Sequence, residues 1–246
     1  MEINADKFLI ARARAGLGSG ESAGIGCLAE KLVHRTLKYY YESDESKHEV
    51  AFCGSVADVL NEEGVIEIQT RSFNKLVPKL EKFLPNSPVT IICPVVEHKR
   101  ICRIDPDSGE CFSSRKSSKC GKVYEVLSEL YMIKDFIPND NLRISVVMLD
   151  VEETRMQKRS IKVGRHRTSK INSIPTSLNN IIELSKMSDY AILMPPGLPK
   201  EFSATEFEKI TKLKGMKSHS ALMMLLHLGL VSREKRGGRA FTYTVC

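Results

Sequence analysis

Asp58, Glu67 and Gln69 are the residues whose types and spacing could do chemistry. They sit in one stretch, Ser55 to Thr70, SVADVLNEEGVIEIQT. Val56, Val59 and Leu60 lead into Asn61-Glu62-Glu63-Gly64, and Val65, Ile66 and Ile68 lead out, which is the pattern of a β-hairpin with glycine closing its turn. With those four residues as the loop, Leu60 opposes Val65, Asp58 opposes Glu67 and Val56 opposes Gln69. Side chains alternate along a strand, so Ala57, Val59, Ile66 and Ile68 form a core face while Asp58, Glu67 and Gln69 share the other. Like charges opposed at a Cβ spacing of about 5 Å destabilise a strand pair. A shared divalent cation removes that repulsion, and hard carboxylate oxygens suit Mg²⁺ or Mn²⁺. Two acids merely solvated on an open face would leave the same trace, so the register carries the argument.

The flanking segments decide what holds this hairpin. Ile25 to Tyr41 has helical periodicity, with Ile25, Leu28, Leu32 and Tyr39 on one stripe and Lys31, Arg35 and Lys38 on a basic one. Glu30 and His34 share a third face of that helix and read as an ordinary surface pair. His48 to Cys53 reads as a strand ahead of the hairpin. Asn74 to Leu84 follows as an amphipathic helix with Leu76, Leu80 and Phe83 apolar and Lys75, Lys79 and Lys82 exposed. Pro85-Asn86-Ser87-Pro88 stops it, and the apolar run Val89 to Val96 reads as a buried strand.

Helix, three strands, helix, strand, with Glu30 on the first helix, Asp58 on the second strand and Glu67-Ile68-Gln69 on the third, resembles the PD-(D/E)XK nuclease superfamily. The resemblance covers about the first 96 residues. It implies an α/β fold with a restriction-endonuclease-like core, a mixed sheet flanked by helices. It also implies Mg²⁺ (or Mn²⁺) held by Asp58, Glu67 and the Ile68 carbonyl, with Glu30 completing the site. Asp58 follows Ala57 where the family has proline, and Gln69 stands where it has the lysine that orients attacking water. Some restriction enzymes of this superfamily carry Gln at that position and still cut. Gln can hydrogen-bond a water but brings no positive charge.

Beyond residue 96, Arg100–Asp105 and Glu110–Ser114 read as a hairpin around Pro106-Asp107-Ser108-Gly109. Arg115, Lys116, Lys119 and Lys122 form a basic loop, Tyr124 to Phe136 a helix, and Leu142 to Leu149 a second buried strand. Asp150, Glu152 and Glu153 at its end are a rival acidic group with no opposing partner evident from sequence. Arg155 to Lys170 holds seven Lys or Arg and no acid, and reads as a mobile linker that neutralises phosphates, with Arg165 and Arg167 among its contacts. The expected division is therefore a nuclease-like domain at 1–150, a linker at 151–175 and a third unit at 176–246.

That last unit opens with an expected helix from Pro175 to Met187. A capping box at Ser203-Ala204-Thr205-Glu206 starts a short helix, and a second runs from Ser218 to Leu228. A basic hairpin with the tip Lys235-Arg236-Gly237-Gly238 closes the chain. The unit resembles a winged-helix DNA-binding domain, which implies DNA contacts from Lys217, Ser218, His219, Arg233, Lys235, Arg236 and Arg239.

Composition agrees with a nucleic-acid partner. The net charge of +7 conceals a split: residues 1–150 carry 20 Lys and Arg against 22 Asp and Glu, residues 151–246 carry 17 against 8. No apolar run of about 18 residues suggests a membrane span. The N-terminus lacks the pattern of a secretory signal, and seven cysteines without a CxxC pair suit a reduced, cytoplasmic protein rather than a zinc site. The Gly/Ser-rich segment 16–26 has no GKS/T ending and reads as a connector. Three classes stay open: a metal-dependent DNA endonuclease, a DNA-binding transcriptional regulator whose nuclease fold has lost its chemistry, and a protein-interaction scaffold. Cutting both strands of a duplex calls for two sites, so a homodimer is compatible with the first.

Overall fold

The computed structural model describes residues 3–17, 28–105, 108–157, 168–235 and 241–246, without the side chains of 28–31 and 157. The chain runs α1 (Ala5–Leu17), α2 (Leu28–Tyr41), β1 (His48–Phe52), β2 (Ser55–Asn61), β3 (Gly64–Ile68), α3 (Val77–Phe83), β4 (Val89–Ile104) and β5 (Cys111–Lys116). It continues through α4 (Leu127–Leu130), with a 3₁₀ turn on either side, β6 (Leu142–Gln157) and β7 (Thr168–Leu184). It closes with β8 (Glu201–Ser203), α5 (Ala204–Thr211), α6 (Met216–His227), β9 (Val231–Lys235) and β10 (Phe241–Val245). The fold is α/β, a large mixed sheet with helices on both faces.

The sheet order is β1-β2-β3-β4-β6-β7, with β5 pairing β4 beyond the end of β3. β3, β4 and β6 run parallel at the centre, which explains why GVIEI and VTIICPVV are apolar almost throughout: both faces are covered. On one face α1 and α2 pack Phe8, Leu37 and Tyr40 against Ile92, Val147 and Leu149. On the other, α3, α4 and the C-terminal elements pack Phe73, Leu80, Leu127, Phe202, Leu222 and Leu225 against Ile91 and Val146.

The expected order through residue 96 is present, and so is the register: Leu60 pairs with Val65 and Asn61 with Gly64. Gly64 has φ of +118°, and an added Cβ would lie 2.4 Å from the Pro88 carbonyl oxygen. The tight approach is used, because Val65 donates its N–H to that same oxygen at 2.9 Å. The ladder stops at Val59–Ile66, and the expected single core face does not hold. Val59, Ile66 and Ile68 enter the α2-side core, whereas Ala57 enters the opposite one.

Four further expectations are corrected. Residues 151–157 and 168–175 are no linker; they extend β6 and begin β7, paired antiparallel. The helix expected from Pro175 is also strand. TSKINSIPTSLNNIIEL is rich in β-branched and short polar side chains, and it recovers in the ladder the hydrogen bonds its weak helix propensity could not secure. Pro175 is tolerated because β7 is the edge of the sheet, where a missing N–H removes no ladder bond. The C-terminal elements share the core of the sheet, so a cut at residue 150 would split β6 rather than release a domain. Cys102 and Cys111, read as reduced, are joined across β4 and β5 by a disulfide.

Gly64→Ala is expected to lower stability by more than about 1 kcal/mol, because both the positive φ and the Pro88 contact resist a side chain. Urea unfolding of the two proteins checks this, and an unchanged midpoint would contradict the close approach.

Candidate active site

Asp58 and Glu67 meet where the ladder between β2 and β3 ends. Asp58 Oδ2 accepts the Ile68 N–H at 2.8 Å, and the Asp58 N–H reaches Glu67 Oε1 at 3.4 Å. The Asp58 carboxylate thus takes the place of a ladder carbonyl, which is why the regular pairing stops there. Glu67 is only 2% exposed, because the segment 73–83 covers that side, so it is not an acid merely solvated on an open face.

Two side chains from helices complete the cluster, and both were read from sequence as ordinary surface residues. His34 on α2 places Nε2 3.1 Å from Asp58 Oδ2. Lys79 on α3 places Nζ 2.9 and 2.7 Å from the two oxygens of Glu67. The helical spacing showed that each has a polar face; only packing shows what that face meets. With Gln69, Thr70 and Lys75 they line a cleft of about 290 Å³ open to solvent. Gln69 lines it but directs its amide N–H away, to the Arg71 carbonyl. Glu30 lies on α2, one turn before His34, and its side chain is outside the described residues.

Charge is unevenly settled in the cleft. Burial, with the Asp58 charge beside it, pushes Glu67 up to about 7 even though Lys79 opposes the rise. Burial also disfavours an ionised Asp58, but His34, the Ile68 N–H and Lys79 outweigh it and hold Asp58 below the usual carboxylate range. One lysine is therefore too little positive charge for a buried Glu67 beside a half-buried Asp58. That deficit, two hard oxygen donors and an Asp58 Oδ1 that accepts no hydrogen bond among the described residues make the donor set fit a divalent cation.

Two of the rival acids, Asp150 and Glu153, prove to have partners. A bulge between Val96 and His98 brings Glu97, His98 and Asp150 together, with ligand atoms within 4.8 Å of one another. Asp150 Oδ1 accepts the His98 backbone N–H at 3.1 Å and Asn179 Nδ2 at 2.7 Å, and lies 2.9 Å from His98 Nδ1. Although burial opposes it, those hydrogen bonds hold Asp150 low. Glu153 is buried on the opposite face and is tied to Lys99 at 2.9 Å and Arg155 at 2.5 Å.

Of the residues expected to meet DNA, Lys217, His219 and Lys235 are exposed on α6 and β9. Arg233 is exposed and lies with its guanidinium 4.8 Å from the Phe241 ring centroid. Ser218 is a correction: it is 2% exposed, because α6 turns that side into the core. Arg165, Arg167, Arg236 and Arg239 lie outside the described residues.

A family model described as "Domain of unknown function (DUF8091)" matches residues 31–185, from α2 to the end of β7, and so includes both carboxylates, His34 and Lys79. An "Uncharacterized protein" of Treponema pallidum (strain Nichols) is 26% identical over 223 residues, covering 89% of this chain and 86% of its own. No solved structure matches.

The Glu67 environment gives a pH signature. The folded state holds the Glu67 proton up to about pH 7, whereas the unfolded chain releases it near 4.5, so stability falls as pH rises through that window. In EDTA, Glu67→Gln is expected to remove that part of the slope and to gain stability over wild type as pH is raised from about 4.5 to about 7.5. Melting curves across the window check this; parallel profiles would mean that Glu67 titrates normally.

Proposed function

We propose that this chain, which belongs to the DUF8091 family, is a metal-dependent deoxyribonuclease of PD-(D/E)XK type, carried on DNA in part by a winged-helix unit at its C-terminus. The observation that carries the reading is the pairing of Asp58 and Glu67 at the end of a strand pair with the Lys79 ammonium on Glu67, all in an open cleft. The order α2, β1, β2, β3, α3, β4 supports it as well.

When bound, Mg²⁺ or Mn²⁺ would supply Lewis-acid polarisation of a phosphoryl oxygen and a more acidic water. Asp58, Glu67 and the Ile68 carbonyl are the groups that would hold it. His34 fixes the Asp58 carboxylate, and Asp58 in turn fixes the strand carrying Glu67 through the Ile68 N–H. Lys79 brings from a helix the positive charge that Gln69 lacks on the strand. In the cleft it would orient a water and stabilise charge developing on the phosphate.

For the C-terminal unit, a three-stranded sheet in the order β8-β10-β9 with α5 and α6 packed on it supports the winged-helix reading. There Lys217 and His219 would face DNA from α6, and Lys235 from β9. The inactive regulator remains the second reading. What favours it is that the Gln69 amide N–H, at the position where the PD-(D/E)XK family has its water-orienting lysine, donates to the Arg71 carbonyl instead of pointing into the cleft.

Asp58→Asn and Glu67→Gln are expected to abolish Mg²⁺- or Mn²⁺-dependent cleavage of duplex, single-stranded or branched DNA. Lys79→Gln should lower the rate about 10²- to 10³-fold, the usual loss when one charge-stabilising donor is removed. Gln69→Lys should restore part of that loss when combined with Lys79→Gln. Absence of cleavage by wild type on all three substrates, together with no Mg²⁺ uptake by calorimetry, would favour the regulator. Full activity of Lys79→Gln would remove Lys79 from the mechanism.

A further inference from the structure

β4, β6 and β7 run on past the end of β3, and β5 joins the exposed edge of β4 there, so the sheet projects as a four-stranded arm. Along β6 the face under α2 is apolar at Val147, Leu149 and Val151; the next two side chains on that face are Glu153 and Arg155. The register places Ile101 and Ser173 beside Glu153, with Arg115 beyond Ile101 on β5, and Arg103 and Lys170 beside Arg155. Lys99, Arg155 and Lys170 converge on the single Glu153 carboxylate at 2.9, 2.5 and 3.9 Å. Arg103 and Arg115 add two more cations, and among the described residues neither forms an ion pair. Arg103 Nε is buried and has no hydrogen-bond partner.

Such a face is costly alone. Like charges on neighbouring strands repel, here Arg103 against Arg155 and Arg155 against Lys170. One buried acid among three of the cations offsets part of this and holds their side chains along the face. It leaves a surplus of positive charge with guanidinium donors unspent, which suits an anion carrying oxygens at intervals. The arm is also connected to the carboxylates. A second depression of about 250 Å³, lined by Val33, Thr70, Arg71, Lys170 and Ser173 among others, shares Thr70 with the Asp58–Glu67 cleft.

We propose that this face is a phosphodiester-backbone track. A DNA strand lying over Arg103, Arg115, Arg155 and Lys170 would run past Thr70 and Arg71 to the Asp58–Glu67 cleft. The inference rests on the nuclease reading for the far end of the track and on charge placement alone for the track itself. It adds a DNA-binding surface on the sheet to the one proposed on α6 and β9.

The test uses the full chain in EDTA, so that binding is read without cleavage, with labelled duplex and single-stranded DNA followed by fluorescence anisotropy over a salt series. Arg103→Gln, Arg115→Gln and Lys170→Gln are combined; Lys99 and Arg155 stay to keep Glu153 paired. This variant is expected to bind at least about tenfold more weakly at low salt and to lose about 2 to 3 from the slope of log K against log salt, near 0.9 per phosphate contact. The charge-keeping set Arg103→Lys, Arg115→Lys and Lys170→Arg should bind like wild type, which separates charge from damage to the arm. Preferential loss on one of the two DNA forms identifies the form the track carries. Unchanged affinity and slope in the neutralised variant on both forms would overturn the proposal, and so would a wild type that binds neither. If wild type binds through these residues yet never cleaves with Mg²⁺, the track stands and the nuclease reading fails.

Discussion

Burying Glu67 beside Asp58 is the constraint on which the arrangement around the hairpin depends. A carboxylate 2% exposed needs partners, and a second carboxylate within reach makes that need greater. Each surrounding element supplies one: Lys79 from α3, His34 from α2, and the Ile68 N–H from β3 itself. These contacts hold both helices to the strand pair at the same point. They leave the pair short of positive charge, the condition under which a carboxylate titrates near neutrality and a divalent cation is welcome.

The length of the central strands has a second consequence. At about 3.3 Å per residue, the 16 residues of β4 span roughly 50 Å, far beyond what α1 and α2 cover. Under the helices the strand faces are apolar; past them the side chains change to Lys, Arg and Glu, paired with one another along the face. The change from Val151 to Glu153 and Arg155 on one strand face marks that boundary. The two ends of the basic segment that reads as a linker, 155–157 and 168–170, are thus part of the sheet. Arg155 and Lys170 are held side by side on its surface, so they act together.

The two cores on either side of the sheet differ in what closes them. α1 and α2 close one. The other is closed by α3, α4 and the C-terminal elements, with Phe202, Phe207 and Tyr243 packed into the same cluster as Phe73 and Leu80. A unit tied in this way cannot move independently of the cleft, so α6 and the arm present their charges in a fixed relation.

The sequence by itself determined the hairpin, its register and the meeting of Asp58 with Glu67. These follow from a local turn and from alternation, which neighbouring residues decide among themselves. It also determined the buried parallel strand at Val89–Val96 and the capped helix at Ser203, for the same reason. Only the tertiary structure decided that Lys79 and His34 belong to the site, because a polar face on a helix does not say what it packs against. Only the tertiary structure turned residues 151–157 and 168–184 into strand: their ladder partners lie far away in the chain or across the segment 158–167, and local propensity there is weak. Ser218 was lost to the core on the same ground, since the side of α6 that is buried is set by α4 and its neighbours and not by α6 alone.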